Sequence, residues 1–317
     1  MKNRIFFREL TLFLLVVFMV ASCTDEIDRP VFPISATIFH SMKDKQVAFT
    51  ALTHSAVSWQ WDFGDGKTST EQNPVHVYEK GGYYKAVLTA TDASGNKATD
   101  EVELALSLSA YNYLTGNPNA PGYKGKTWRL ATNHTTNTDY LGNCDANLTT
   151  AAGTPKPLPN GIFGQLGFPD AYKDEFTFFF DGKYVHDNSK SGGSSFSALL
   201  NQMVINGGKD VTNAAGKAYG MCLAKYTPET GAKFTFVEKE DLTVSSVYGP
   251  GGKLTFKNVS TLDFTGTEFV GFRDVQRKII VNKINDVSMQ LIMFMAASDK
   301  AIGINTHVLV LSFEVVK

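Results

Sequence analysis

The chain has 317 residues, with 30 Lys and Arg against 31 Asp and Glu, a formal charge of −1, and 43% hydrophobic residues. Such a length suits two domains at the usual ~100–200 residues each. A nearly neutral balance without a Lys/Arg stripe excludes a phosphate-binding surface, so no nucleic-acid partner is expected.

The chain opens with Lys2, Arg4 and Arg8, then an apolar run from Leu10 to Ala21, and Val20-Ala21-Ser22-Cys23 sets small residues before a cysteine. The run is about a dozen residues, short of the ~20 a membrane-spanning helix needs. Residues 1–22 therefore read as a signal peptide that resembles those of bacterial lipoproteins. The resemblance implies lipidation of Cys23 by diacylglycerol and a further acyl chain, which tethers the mature chain to the outer membrane without a spanning helix. The acidic run Thr24-Asp25-Glu26-Ile27-Asp28, in a linker over 23–33, resembles the export signal of Bacteroidetes-type surface lipoproteins. It implies exposure on the cell surface; the other reading is a solvated linker. Cys144 and Cys222 remain, either as one disulfide in an oxidising compartment or as buried apolar residues, and both readings stay open. Asn-x-Ser/Thr triplets at Asn133, Asn147 and Asn258 carry no weight in a bacterial lipoprotein.

Residues 34–108 pass the period-two test for strands. Val57, Trp59, Trp61 and Phe63 alternate with Ser58, Gln60 and Asp62. Tyr84, Ala86, Leu88 and Ala90 form one face of a second strand, and Val102, Leu104, Leu106 and Leu108 one face of a third. Gly64-Asp65-Gly66 and Ala93-Ser94-Gly95-Asn96 supply turn residues, so a two-sheet sandwich is expected. Trp61 and Phe63 are expected in its core, and Asp62 and Asp65 as caps of backbone N–H groups rather than a calcium site, which needs about six oxygen ligands.

The run Trp61-Asp62-Phe63-Gly64-Asp65-Gly66, followed by Asn73-Pro74, His76, Tyr78, Gly82, Tyr84, Val87 and Leu88, resembles the polycystic kidney disease (PKD) domain. This implies an immunoglobulin-like sandwich acting as a spacer or binding module. Ala90 departs from the family, which more often has a branched residue there.

The turn-rich segment 109–126 is expected as a linker, and 127–317 as a larger β domain, making the fold class all-β: an immunoglobulin-like sandwich followed by a larger antiparallel sandwich or barrel. Residues 174–185 predict a hairpin closed by a two-residue Asp181-Gly182 turn. Further strands are expected over 233–237, 242–246, 254–258, 269–272, 278–284, 287–294 and 308–316. The last is nearly continuous in apolar residues, as a strand covered on both faces would be. Phe196, Leu199, Leu200 and Met203 predict a helix over 194–206.

This half resembles the C-terminal module of surface lipoproteins encoded with outer-membrane glycan uptake systems. The shared strings are Gly125-Lys126-Thr127-Trp128, the Asp174-Glu175-Phe176-Thr177-Phe178 hairpin with Asp181-Gly182-Lys183-Tyr184, and Phe269-Val270-Gly271-Phe272 before Ile279-Ile280. The inserts 133–169 and 207–219 have no counterpart. The resemblance implies non-catalytic binding of a polysaccharide or oligosaccharide at the cell surface, accessory to uptake, with a transporter complex as partner.

Sugar rings pack their C–H faces on exposed aromatic rings held on loops. Loop aromatics are abundant here: Tyr123, Tyr140, Phe168, Tyr172, Tyr219, Tyr226 and Tyr248. Of these Tyr140, Phe168, Tyr172, Tyr219 and Tyr248, with Arg273 as a clamp for hydroxyls or carboxylates, are the candidate ligand contacts. Each ring has a plainer role open to it, pinning a long loop to the core. Two alternatives remain: an adhesin or protein-binding subunit, using the same rings against a protein, and a glycoside hydrolase. The last needs two carboxylates ~5–10 Å apart, and no pair converges in the sequence: Asp174 and Glu175 are adjacent, while Glu238, Glu240 and Asp241 read as a charged turn. His134, His186 and His307 lack metal-ligand spacing, and neither a Gly-x-Ser-x-Gly elbow nor a phosphate loop occurs, so no catalytic residue, metal or cofactor is expected.

Overall fold

The computed structural model describes residues 32–151, 153–214 and 220–317. The signal segment, Cys23, the acidic run behind it and Tyr219 lie outside the described residues. In the N-terminal part, β1 (Ser35–Lys43), β2 (Gln46–His54) and β5 (Val75–Val77) form a three-stranded antiparallel sheet. A four-stranded sheet has the order β4 (Thr68–Ser69), β3 (Ala56–Asp62), β6 (Gly82–Asp92), β7 (Lys97–Leu106). The sheets enclose Val47, Phe49, Trp61, Phe63, Tyr78, Leu88 and Leu104. Strand alternation places these rings: Trp61 and Phe63 are fully covered, while Trp59 on the same face is half-buried and donates its indole N–H to Thr53 Oγ1 at 3.2 Å.

The segment 109–126 is more than a linker. Ala110–Thr115 forms a short helix, started by a capping box between Ser109 and Asn112, and its fully buried Leu114 enters the core of the second domain. The Trp128 indole N–H donates to the Leu114 carbonyl at 2.9 Å. Six residues are too few to show a helical period.

The remaining strands are β8 (Lys126–Leu130), β9 (Tyr140–Asn143), β10 (Glu175–Phe178), β11 (Tyr184–Asp187), β12 (Ser194–Ala198), β13 (Val211–Asn213), β14 (Met221–Lys225), β15 (Phe234–Ser245), β16 (Lys253–Phe264), β17 (Ile279–Ile284), β18 (Ser288–Met295) and β19 (His307–Val315). A nine-stranded sheet runs β11-β10-β8-β19-β18-β17-β16-β15, with β9 also paired to β19. It curls until its first and last strands meet, through Tyr184 N–H to Ala232 O at 2.9 Å and Phe234 N–H to Gly182 O at 3.0 Å. Inside lie Trp128, Phe176, Phe178, Phe264, Leu291, Met293, Leu309, Leu311 and Phe313. A small sheet of order β12-β14-β13 adds Phe196, Met221 and Leu223 to that core. On β18 and β19 the alternate residues Ile292, Phe294, Val308 and Val310 face a second cluster, so β19 is covered on both faces.

Four expectations for local structure change. The Asp181-Gly182 turn is a three-residue loop, because Phe178 pairs with Tyr184 and Phe179 N–H bonds to Lys183 O. Only Leu199–Asn206 of the expected helix is helical; Ser194–Ala198 is fully buried strand β12, where pairing with β14 overrides the helical spacing of Phe196 and Leu199. Phe269–Phe272 is buried but not a strand, since Gly271 takes φ +71 and a Cβ there would stand 2.4 Å from the Phe313 ring. Finally, 233–237 and 242–246 are one strand. Register shifts after Val237 and after Glu240 bulge β15 without ending it.

Candidate binding groove

That bulge makes the candidate site. On one side of it Phe234, Phe236, Leu262 and Phe264 belong to the barrel core; beyond it Leu242, Val244 and Phe256 fold against the other face of the sheet. Where the β15–β16 hairpin bends, it opens a groove of about 380 Å³ between β16, β17, Ile292 of β18 and the loop after β9. Phe256, Ile280 and Ile292 form an apolar floor, and Asn147, Asn258, Ser260 and Asn282 supply the polar lining.

The local sequence explains how each polar group is held. Asn258 has φ +52, a left-handed conformation that asparagine tolerates, and its N–H bonds to Asp241 Oδ1 at 3.0 Å across the bulge. The Asp145 carboxylate shapes the opposite rim by accepting the N–H groups of Asn147 at 2.9 Å and Thr149 at 3.1 Å. Slight burial would raise its pKa, but these bonds and the Thr149 hydroxyl hold it below the ordinary value. Asn282 donates to Gln290 Oε1 at 2.7 Å. The exposed side-chain amides of Asn147 and Asn258 have no partner among the described residues. Among the described residues neither carboxylate nor histidine lines the groove, which offers hydrogen-bond donors and acceptors over an apolar floor.

The structure divides the candidate residues chosen from sequence. Tyr140 lies in β9 and packs, half-buried, on the cluster beneath the groove. Tyr248 is 50% exposed, and its hydroxyl donates to Asn143 Oδ1 at 3.2 Å, next to that strand. Phe168 and Tyr172 belong with the barrel core. Phe168 is 0% exposed and Tyr226 nearly covered, so neither is an exposed platform; both pin loops. The half-buried Tyr172 has its hydroxyl between His134 Nε2 at 2.8 Å and Phe163 N–H at 3.1 Å, and burial pushes its phenol up to about 12. The Arg273 guanidinium stacks 4.7 Å above the Tyr226 ring instead of standing free as a clamp. Tyr123 is likewise tied, donating to Thr115 O and accepting from Phe180 N–H. The groove asparagines escaped sequence reasoning; Asn147 and Asn258 stood out only as glycosylation triplets. The one available signal was asparagine interrupting a strand pattern, the composition of a bulge.

Two buried polar clusters also form. In one, the buried Asp139 accepts from His134 Nδ1 at 2.8 Å. In the other, His186 Nε2 lies 3.1 Å from Asp174 Oδ2 and Nδ1 lies 3.4 Å from Glu268 Oε2, with all three residues buried. Two acids therefore converge, but around an imidazole with no exposed side chain, not across an open cleft. Burial alone would lower the His186 pKa, yet the two carboxylates outweigh it and raise it above 6.5. The charged imidazole thus stabilises the fold fully below about pH 6.5, and that stability is lost as pH rises through the raised value. Urea unfolding from about pH 6 to about pH 9 should show this decline, and His186→Gln should flatten it; an unchanged pH profile in the variant would rule the cluster out as its source.

The N-terminal segment is settled by comparison. The PKD domain family model matches residues 33–106. Collagenase ColQ1 of Bacillus cereus is 52% identical over 50 residues, 16% of this chain and 5% of that protein. The crystal structure of the PKD1 domain from the Vibrio cholerae metalloprotease PrtV is 30% identical and aligns over 24% of this chain and 100% of that one, with a TM-score of 0.24. Residues 33–106 are a PKD domain. The chain spans only about a twentieth of the length of that collagenase. A carbohydrate-binding module of the β-sandwich superfamily aligns over 90% of the chain and 96% of its own length, at 12% identity and a TM-score of 0.24, too low to bear on function.

The PKD fingerprint is structural throughout. Tyr78 donates its hydroxyl to Phe63 O at 3.0 Å, and His76 stacks on Phe63 with ring centroids 4.1 Å apart. The Asp62 carboxylate caps Gly64 N–H at 2.9 Å and Asp65 caps Lys67 N–H at 3.1 Å, as the turn chemistry predicts. Asp65 also meets His76 Nε2 at 2.8 Å, a contact the sequence spacing did not show. Asn73 Oδ1 accepts Ala51 N–H at 3.0 Å, and a Cβ on Gly64 would stand 2.5 Å from Lys85 O.

Proposed function

We propose that the protein is a non-catalytic polysaccharide- or oligosaccharide-binding lipoprotein of the cell surface, in which the PKD domain is a spacer and the groove at the β15–β16 bend holds the ligand. The observation that carries this reading is that two side-chain amides without a partner among the described residues, Asn147 and Asn258, line one groove with an apolar floor. Primary amides both donate and accept, as vicinal hydroxyls require, and the apolar floor suits the C–H face of a pyranose. Tyr248, exposed and bonded to Asn143 at the end of β9, extends the surface. Anchoring through Cys23, outer-membrane localisation and service to a glycan transporter belong to the same proposal, supported by the signal-like N-terminus.

A panel of polysaccharides in affinity gels and calorimetry tests it. Asn147→Ala with Asn258→Ala should weaken binding at least about tenfold, the worth of two net hydrogen bonds. Binding indifferent to both substitutions, or no affinity for any glycan, would refute the groove; release of reducing ends would return the hydrolase reading. Labelling with radioactive palmitate, lost in Cys23→Ser, tests the anchor.

A further inference from the structure

Away from the groove, the helix Leu199–Asn206 meets the loops carrying Val275 and Ile302. Among them is a cavity with about 20 Å³ of room, lined by Leu200, Asn201, Val204, Asp274, Val275 and Ile302. That volume holds one water-sized group. Its rim is apolar and open, with Val204 53%, Val275 47% and Ile302 60% exposed. Two buried polar side chains stand in an otherwise apolar lining: Asp274 is 3% exposed and Asn201 9%. The Asp274 carboxylate accepts the N–H groups of Ala296 at 2.8 Å and Val275 at 2.6 Å, and no cation pairs with it among the described residues. The Asn201 side chain has no described hydrogen bond at all. A buried carboxylate without a counter-ion is costly, and burial pushes Asp274 up to about 6 despite its two backbone donors.

We propose that this cavity docks a lysine side chain of a partner protein. The ammonium is a single water-sized cation with three donors, and Asp274 and Asn201 offer acceptors. The four-carbon stem lies across Val204, Val275 and Ile302, whose exposure it removes. A guanidinium is too large for the space, and an uncharged tip leaves the carboxylate uncompensated.

The test uses the mature full-length chain and three short capped peptides, each with a central lysine, arginine or norleucine between two leucines, with binding followed by NMR titration. The lysine peptide should bind at least about tenfold tighter than either counterpart, as expected for a hydrogen bond to a charged group. Asp274→Asn should abolish that preference. Val204→Ser with Ile302→Ser, at exposed positions that leave folding intact, should weaken the lysine peptide several-fold. Equal binding of the three peptides, or none by the lysine peptide, overturns the proposal. Because the Asn147 and Asn258 substitutions should leave peptide binding unchanged, its failure is distinguishable from failure of the glycan reading.

Discussion

Asp139→Ala should lower the unfolding free energy of the C-terminal domain by about 3–5 kcal/mol, the range for removing one partner from a buried charged network. Asp139 is fully buried and accepts from His134 Nδ1 at 2.8 Å, Ser312 N–H at 2.9 Å, Ser312 Oγ at 2.6 Å and Gln290 Nε2 at 3.0 Å. Truncation leaves these donors without an acceptor in a region water does not reach. The network ties three distant pieces of chain: the short helix His134–Asn137, strand β19 through Ser312 and strand β18 through Gln290. Gln290 also accepts from Asn282 of the groove. On the glycan reading proposed above, the variant is expected to lose affinity together with stability, whereas Asp139→Asn, which keeps the shape and one of the two acceptor oxygens, should lose less of both. Chemical denaturation of the three proteins decides it, and a cost below about 1 kcal/mol for alanine would show that the cluster does not hold the domain together.

Trp61→Ala should unfold the PKD domain and spare the barrel. Trp61 is fully buried, donates its indole N–H to Glu71 O at 3.0 Å and packs on Phe49 at 5.1 Å between ring centroids. Removing such a ring costs about 3–5 kcal/mol. A domain of this size has a total stability of about 4–11 kcal/mol. The two cores share no residue. Calorimetry should show an early transition shifted steeply downward and a later one in place; a single transition moving as a whole would mean that the domains unfold together.

Legibility in the sequence followed the range of the interactions involved. The strands of the PKD domain were readable because each is amphipathic and its period is local: Trp61 and Phe63 face inward for the same reason that Gln60 and Asp62 face out. The hairpin of β10 and β11 was readable from turn residues. Ser194–Ala198 was not, because small residues and one phenylalanine suit either structure until β14 is beside them. The burial of two candidate rings was illegible on the same ground. Phe168 and Tyr172 adjoin glycine, proline and aspartate, as exposed loop residues do, but their loop folds back over Phe163 and His134.

By itself, then, the amino-acid order determined what depends on neighbours along the chain: the β class, the PKD fingerprint with its core rings and carboxylate caps, and the place of most strands. Tertiary structure alone decided closure of the barrel between β11 and β15, and which loop aromatics face water. It also brought Asn147, Asn258 and Asn282 to one groove, and Asn201 and Asp274 to one cavity. These arrangements rest on hydrogen bonds and burial between segments far apart in sequence. No local period encodes them; they exist only once the sheet has curled and its long hairpin has bent.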